Sequence, residues 1–496
     1  MEARTHRRSP AAVVGLALLA VAVMALPLLA AGRITARFGD SDEGINGAVW
    51  GANSRALREL GVVDSRFGGR RADGSLYASH PPGIVAETAA AETVFGEREW
   101  ASRMPAWLGS MAAMVLLFVL LRRLAGPLVA GASTAAVALS PMFLVYGVML
   151  DTPVTSLVFG LGVLLAWHAA WEGRTSRLTR PPVLAGAAFL AALAGWQATV
   201  LVALCGASLL VRHLRDRERP WPPGLWLLAG GATGAALSLS WAWWTYGSFE
   251  VMRDKFQGRS AGTEAASIAD MVTFQVPWIL QLLAFAVIGL VGCGVALRSP
   301  RYRPLAAMSL GIVALYALVF HAASAGHQYW NYWAVLPAAV GFAYVFDRLA
   351  RDAGTNAPLV LVGAVVAIGL GNWLVAPHRA ADEIARGHRT VDALLATELP
   401  ADAQVVPYVG QALRPDSWIR YYTGRAAEPV QSIEQLDQLA ATRPDMPVLV
   451  LGWCAEDDPG RPFCEAVADA LGRAEPVVLP ANALVQRLDG SSGPAG

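Results

Sequence analysis

The sequence predicts an all-α polytopic membrane protein of about eleven transmembrane helices, followed by a small α/β soluble domain at the C-terminus. Three observations predict it. Of the 496 residues, 55% are hydrophobic and 16% charged, and the mean hydropathy is +0.42, too apolar for a soluble enzyme of this length. The apolar residues gather into runs that match a hydrocarbon core of about 30 Å at about 1.5 Å per helical residue. Beyond residue 377 charge returns and the long runs stop. The expected division is therefore a polytopic domain over 1–377, containing a long outer loop at 33–103, and a soluble domain over 378–496.

The first run, residues 11–32, follows Arg4, Arg7 and Arg8. It exceeds the apolar region of about 7–15 residues found in signal peptides, so it reads as a retained first helix. Eight further runs follow, at about 104–121, 126–150, 152–171, 222–247, 273–297, 304–322, 330–346 and 358–377. The stretch 181–211 is long for one crossing and short for two, with Trp196 and Gln197 in its middle. Arg174, Arg177 and Arg180 precede it, and Arg212, Arg215, Arg217 and Arg219 follow it. Basic loops stay cytoplasmic, so an even number of crossings separates them. Two short helices turning at Gln197 satisfy this and bring the total to eleven. The arginine pairs and triplets near 122, 301 and 350 then also lie inside, with the N-terminus. The outer side of the cell membrane receives the loops 33–103 and 248–272 and the tail.

The net charge of +1 argues against nucleic-acid binding, which needs concentrated basic surface. Cys205 and Cys293 lie in apolar runs and read as packing residues. Cys454 and Cys464 lie in the tail, where they either pair, if the compartment is oxidising, or stay as thiols.

The first outer loop is the richest in acidic and aromatic-polar residues, with Asp40, Asp42 and Glu43 near its start and Tyr77, His80, Pro81 and Pro82 further on. Ile45, Val49, Ala52, Ala56, Leu57 and Leu60 repeat at helical spacing, as in a helix lying along the membrane surface. Asp40 and Asp42 serve as caps in the plainer reading of such a helix start. Asp151 falls at the outer end of a span, where a carboxylate is costly unless hydrated, paired or working. It too has a plainer reading as a cap, with Pro153 in the first turn of the next helix. Two acidic helix entries on one membrane side are, jointly, what a catalyst at the membrane surface needs.

The ordered set Asp42-Glu43, His80-Pro81-Pro82, Phe95-Gly96, Arg103, Ser140-Pro141 and Leu150-Asp151 resembles the C-type glycosyltransferases, and within them the protein mannosyltransferase and lipid A aminoarabinose transferase group. The resemblance implies transfer of a sugar from a polyprenyl-phosphate carrier to a lipid, glycan or protein acceptor on the outer face. It implies Asp42 as general base, with Glu43 beside it, and Asp151 as the second acidic position. His80 and Arg103 match polar and basic positions at the membrane face.

Side-chain chemistry agrees with those roles. A carboxylate takes the acceptor's proton, and the departing phosphate needs cations, for which His80, Arg103, Arg70, Arg71 and Lys255, the only lysine, are candidates. One base and a stabilised leaving group suit inversion. Asp40, Tyr77, Gln197, His327 and Tyr329 complete the expected substrate-binding set. Gln197 stands where the family often carries lysine, and the aromatic stretch His321 to Trp333 is either an interfacial belt or part of the lipid-phosphate or acceptor site. No cofactor is required, and a divalent cation is left open because no ligand spacing of a dedicated site is present.

The tail alternates strand-like runs (403–409, 448–453, 475–479, 483–488) with helical ones (380–399, 433–441, 462–471), as in a small α/β domain. Glu456, Asp457 and Asp458 read as a solvated loop. A flippase of lipid-linked saccharides is the alternative function, but no internal repeat or charge near the bilayer midplane supports it.

Overall fold

The computed structural model describes residues 10–39, 41–216, 218, 222–260 and 266–375, and in the tail residues 391, 404–407, 416–423, 435, 438, 448–453, 477–478 and 483–488. Seven helical stretches among them are long and apolar enough to cross a membrane: Pro10–Leu29, Met104–Ala138, Thr152–Trp171, Trp196–Arg215, Pro222–Tyr246, Ile268–Ala296 and Gln328–Val375. Pro181–Ala194 and Arg303–Val319 are apolar but shorter. Length and composition thus mark fewer spans than the eleven expected, because several apolar runs are joined or broken. Met104–Ala138 joins two of them across Gly126, whose φ of 80° precedes Pro127. Gln328–Val375 likewise runs through Gly354, at φ 54°.

The elements used below are α1 Pro10–Leu29, α2 Asp42–Asp64, α3 Gly83–Phe95, α4 Met104–Ala138, α5 Pro141–Tyr146, α6 Thr152–Trp171, α7 Pro181–Ala194, α8 Trp196–Arg215, α9 Pro222–Tyr246, α10 Phe249–Ser260, α11 Ile268–Leu283, α12 Val287–Ala296, α13 Arg303–Val319, α14 Val335–Ala353, α15 Ala357–Val375 and α16 Asp416–Thr423. The ambiguous stretch 181–211 does divide into two helices, α7 and α8, and the break falls at Gly195 rather than at Gln197. Packing explains the position. A Cβ at residue 195 would lie 2.8 Å from the Ser156 side chain and 3.3 Å from the Thr152 carbonyl on α6, so only glycine lets the two helices turn against that surface.

Between apolar helices there is little hydrophobic gain on association within lipid, so close backbone approach through small residues takes over. Helix α1 lies on α4 where Gly15 faces Pro127 and Gly131 faces Gly15. Helix α12 crosses α14 at Gly289 and Gly341, where an added Cβ on residue 341 would overlap the Gly289 carbonyl. The remaining core is Leu, Val, Ala and aromatic packing, with Cys205 and Cys293 buried as free thiols within it.

The segment 33–103 folds mainly into α2 and α3. The first of these begins where the periodicity places it, but Ser41 takes the capping role expected of Asp42. The Ser41 hydroxyl accepts from Gly44 N–H at 3.1 Å, which leaves the Asp42 carboxylate free of that duty.

In the tail, strands β1 Gln404–Pro407, β2 Val448–Trp453, β3 Val477–Val478 and β4 Ala483–Leu488 form one sheet of order β1-β2-β4-β3. Strands β1 and β2 run parallel and the other pairs antiparallel. The helical runs expected at 380–399, 433–441 and 462–471, the pair Cys454 and Cys464, and the acidic cluster 456–458 fall outside the described residues, apart from isolated positions. Helix α16, which periodicity did not mark, packs on α2.

Replacing Gly341 with leucine should force α12 from α14 and destabilise the protein by about 3 kcal/mol or more. A thermal melt of the purified protein in detergent checks this, and Gly363→Leu, where an added Cβ meets nothing within 4 Å, should melt as wild type.

Candidate active site

Helix α2 sets the geometry of the site. Asp42, Asn46 and Trp50 follow at four-residue spacing and so share one face. Asp42 Oδ1 stands 3.9 Å from His327 Nδ1. Asn46 Nδ2 donates to Tyr329 Oη at 2.9 Å, and Trp50 Nε1 donates to Asp151 Oδ1 at 3.1 Å. The two carboxylates singled out in the sequence therefore lie along one helix face, about 12 Å apart in axial rise between residues 42 and 50. Asp151 takes the cap reading: it caps α6, accepting from Thr152 N–H at 2.7 Å, and it is buried at 3% exposure against Trp50 of α2.

Glu43 and Arg103 are placed otherwise than the sequence suggested. Arg103 Nε donates to Glu43 Oε1 at 2.5 Å, with both side chains buried. The same guanidinium donates to the Ala36 and Ile34 carbonyls and lies 4.4 Å from the centre of the Phe38 ring. Its charge is spent on Glu43 and on the loop that enters α2, and neither residue lines the cleft described next. This corrects the expectation that Glu43 works beside Asp42 and that Arg103 meets a leaving phosphate.

A cleft of about 190 Å³ opens beside the acidic face, between the His80 segment, α9, α10, α13 and Trp330. Its walls are mostly apolar, from Ala242, Met252, Phe256, Tyr316 and Phe320, and its cations are Lys255 and Arg259. These two lie four residues apart on α10, on one side of the helix. Arg259 Nη1 donates to the Ser79 carbonyl at 3.2 Å, and Trp196 Nε1 donates to the same carbonyl at 3.1 Å.

His80 lines the cleft at 5% exposure, with Nδ1 3.2 Å from Thr152 Oγ1. Burial, and after it the nearby Arg259 and His327, push its imidazole well below the usual histidine range. Tyr77 packs edge-on to Trp50 at 5.3 Å and lies 6.4 Å from the His80 ring.

One aromatic bridge joins the cleft to the acid. Trp330 lines the cleft, lies 6.4 Å from His80, and stacks on His327 at 5.8 Å; His327 is the residue that faces Asp42. The His327–Trp333 stretch thus connects the cleft with Asp42. Gln197 lies outside this arrangement: it is buried, its amide has no hydrogen-bond partner within the described protein, and the cleft takes its neighbour Trp196 instead. Arg71 donates to Asn53 Oδ1 at 2.7 Å, away from the cleft. Asp40 lies outside the described residues. No group of three His, Cys, Asp or Glu residues that could hold a metal ion occurs among the described residues.

Sequence reasoning missed Arg259, Asn46, Trp50 and Tyr316. Three of these had a signal. Lys255 and Arg259 form a cationic i, i+4 pair in an outer loop, and Asn46 and Trp50 continue the period that Asp42 begins.

A bundle of apolar helices with an acidic loop helix and a cationic, apolar-walled cleft is compatible with the expected resemblance to the C-type membrane glycosyltransferases. The comparisons with known proteins agree. The family model for dolichyl-phosphate-mannose-protein mannosyltransferase matches residues 79–244. The chain is similar in fold to ArnT from Cupriavidus metallidurans bound to undecaprenyl phosphate, with a TM-score of 0.64 at 17% identity over 97% of this chain and 98% of that one. It is also similar to the oligosaccharyltransferase AglB from Archaeoglobus fulgidus in complex with an inhibitory peptide and a dolichol-phosphate, with a TM-score of 0.53 at 12% identity over 97% of this chain and 74% of that one. No curated protein sequence matches the chain. The resemblance to the mannosyltransferase and aminoarabinose transferase group is thus present in sequence over residues 79–244 and in fold over nearly the whole chain.

Truncating Glu43 to alanine should leave the Arg103 charge buried and unpaired and destabilise the protein by about 3–5 kcal/mol. Arg103→Lys should fail to restore stability, because an ammonium cannot fork between Glu43 and the Ala36 carbonyl. Melting temperatures of the two variants beside wild type check both.

Proposed function

We propose that this chain transfers a sugar from a polyprenyl-phosphate carrier to an acceptor hydroxyl on the outer face of the cell membrane, with inversion at the anomeric carbon. The observation that carries the reading is the junction of Asp42, His327 and Trp330, which links a partly exposed carboxylate, by way of His327, to the Trp330 wall of a cationic cleft with apolar walls. Two fold relatives were solved with the phosphate of a long isoprenoid chain bound, and that chemistry suits this cleft: hydrocarbon along Met252, Phe256 and Phe320, phosphate at Lys255 and Arg259.

In this reading the acceptor hydroxyl approaches the anomeric carbon from the Asp42 side. Asp42 accepts its proton as the new glycosidic bond forms, and the carrier phosphate departs as an anion held by Lys255 and Arg259. The neutral His80 offers hydrogen bonds to sugar or phosphate without adding charge. Asp151, held by Trp50 and by the Thr152 amide, orders the α2 face and adds negative potential near the anomeric centre. Because two side-chain cations already meet the leaving group, a divalent cation is an addition the reaction does not require. We place the α2–α3 loop and the tail outside, the arginine-rich loops inside, and eleven crossings between them, counting the pieces of the joined helices separately. The acceptor is a lipid, glycan or protein.

Asp42→Asn should lower turnover by about 10²- to 10⁴-fold while leaving undecaprenyl phosphate binding intact. Mass spectrometry of envelope glycans and glycolipids from cells carrying wild-type or variant protein reads the first, and titration of the purified protein with undecaprenyl phosphate reads the second. A wild-type glycan profile from the Asp42→Asn strain overturns the proposal. Arg259→Gln should weaken undecaprenyl phosphate binding by about tenfold or more, as removal of a charge-assisted hydrogen bond does.

A further inference from the structure

The tail reaches the segment that leads into Asp42 by way of a glycine face on α2. Gly44, Gly47 and Gly51 share that face and are buried. An added Cβ would lie 2.2 Å from Gly39 N at residue 44, 2.2 Å from the Phe38 ring at residue 47, and 2.6 Å from the Tyr421 ring at residue 51. With no side chains in the way, the entering loop and α16 lie directly on the helix that carries Asp42.

What α16 does there is specific. Phe38 N–H, four residues before Asp42 and outside any helix, donates to Tyr422 Oη at 2.8 Å. That hydroxyl donates to Glu99 Oε1 at 2.9 Å, and Arg37 Nη1 stands 3.2 Å from the same oxygen. The Phe38 ring, fully buried, is held between Arg103 at 4.4 Å and the edge of Tyr421 at 5.1 Å. Arg55 Nη1, one turn past Gly51 on α2, donates to the Tyr421 carbonyl at 2.7 Å, so α16 is itself fixed to α2.

We propose that Tyr422 is a positioning residue for Asp42 and that the tail thereby completes the active site. The proposal rests on the reading of Asp42 as the general base. A loop amide left to solvent lets residues 36–41 drift, and with them the first turn of α2. A displacement of about 1 Å at a reacting group lowers rates by about 100-fold. Tyr422 ties the loop through one hydrogen bond to its backbone and a second to Glu99, and neither bond lies near the donor cleft. Its effect should fall on the chemical step and spare donor binding.

The test uses the full chain in lipid nanodiscs. Tyr422→Phe keeps the ring and its packing on Tyr421 but removes the hydroxyl. Amide hydrogen exchange over residues 38–42 should quicken by about tenfold, and product formation should fall about 10- to 100-fold, while undecaprenyl phosphate affinity stays within about twofold. Glu99→Gln retains an acceptor for the Tyr422 hydroxyl and should behave close to wild type on all three readouts. Unchanged exchange and unchanged product formation in Tyr422→Phe overturn the proposal. So does a loss of product accompanied by loss of undecaprenyl phosphate binding and a lowered melting temperature, which marks Tyr422 as a general stabiliser. Quickened exchange with wild-type product formation, found together with an active Asp42→Asn protein, instead overturns the assignment of Asp42 as base.

Discussion

The site depends on one buried ion pair, Arg103 with Glu43, because it fixes where helix α2 begins. Removing one of two opposite buried charges leaves the other uncompensated; besides Glu43, Arg103 holds the carbonyls of the entering loop through Nη1, while its Nη2 and Glu43 Oε2 have no hydrogen-bond partner among the described residues. The pair therefore locks the loop and the helix start as one unit. Adjacent residues on a helix point about 100° apart. Holding Glu43 inward thus turns Asp42 out toward His327.

From that start α2 works as a rigid spine. Its acidic face contacts the His327–Trp333 stretch and Asp151, and its glycine face receives the entering loop and α16. A third set of contacts ties it to α3 and the turn after it. Glu92 on α3, which burial shifts upward from the usual carboxylate range against the opposing hydrogen bonds of Ser102 and Ser54 and the charge of Arg58, accepts from Ser102 at 2.6 Å and Arg58 at 3.1 Å and also binds Ser54. Polar contacts of this kind belong where backbone leaves the hydrocarbon, because there water no longer satisfies every group and lipid satisfies none. The spans below need no such network and rely on glycine and alanine contacts between helices.

The division of labour suits a membrane-bound group transfer. A long apolar chain and a phosphate ask for a cleft that is greasy along its walls and cationic at one end, and the cleft of α9, α10 and α13 has that character. A hydroxyl acceptor asks for a carboxylate with water access, and Asp42 at the start of α2 is a partly exposed one. Asp42 and the cleft are linked by an aromatic wall of His80, Trp330 and His327, with Lys255 and Arg259 on the cleft side of it.

The sequence by itself determined the apolar runs, the break within 181–211, the helix beginning at Asp42 and the acidic cap at Asp151, because each is written in contiguous residues whose period or charge can be counted. It did not determine that Glu43 turns inward onto Arg103 while Asp42 faces His327, or that Arg259 joins Lys255 in the cleft. Nor did it show that a tail helix holds the loop before Asp42. Those outcomes rest on contacts between residues 43 and 103, 50 and 151, 42 and 327, and 38 and 422, whose partners are distant in the chain. Only the packing of the helices brings such pairs within hydrogen-bond reach, and local periodicity carries no record of it.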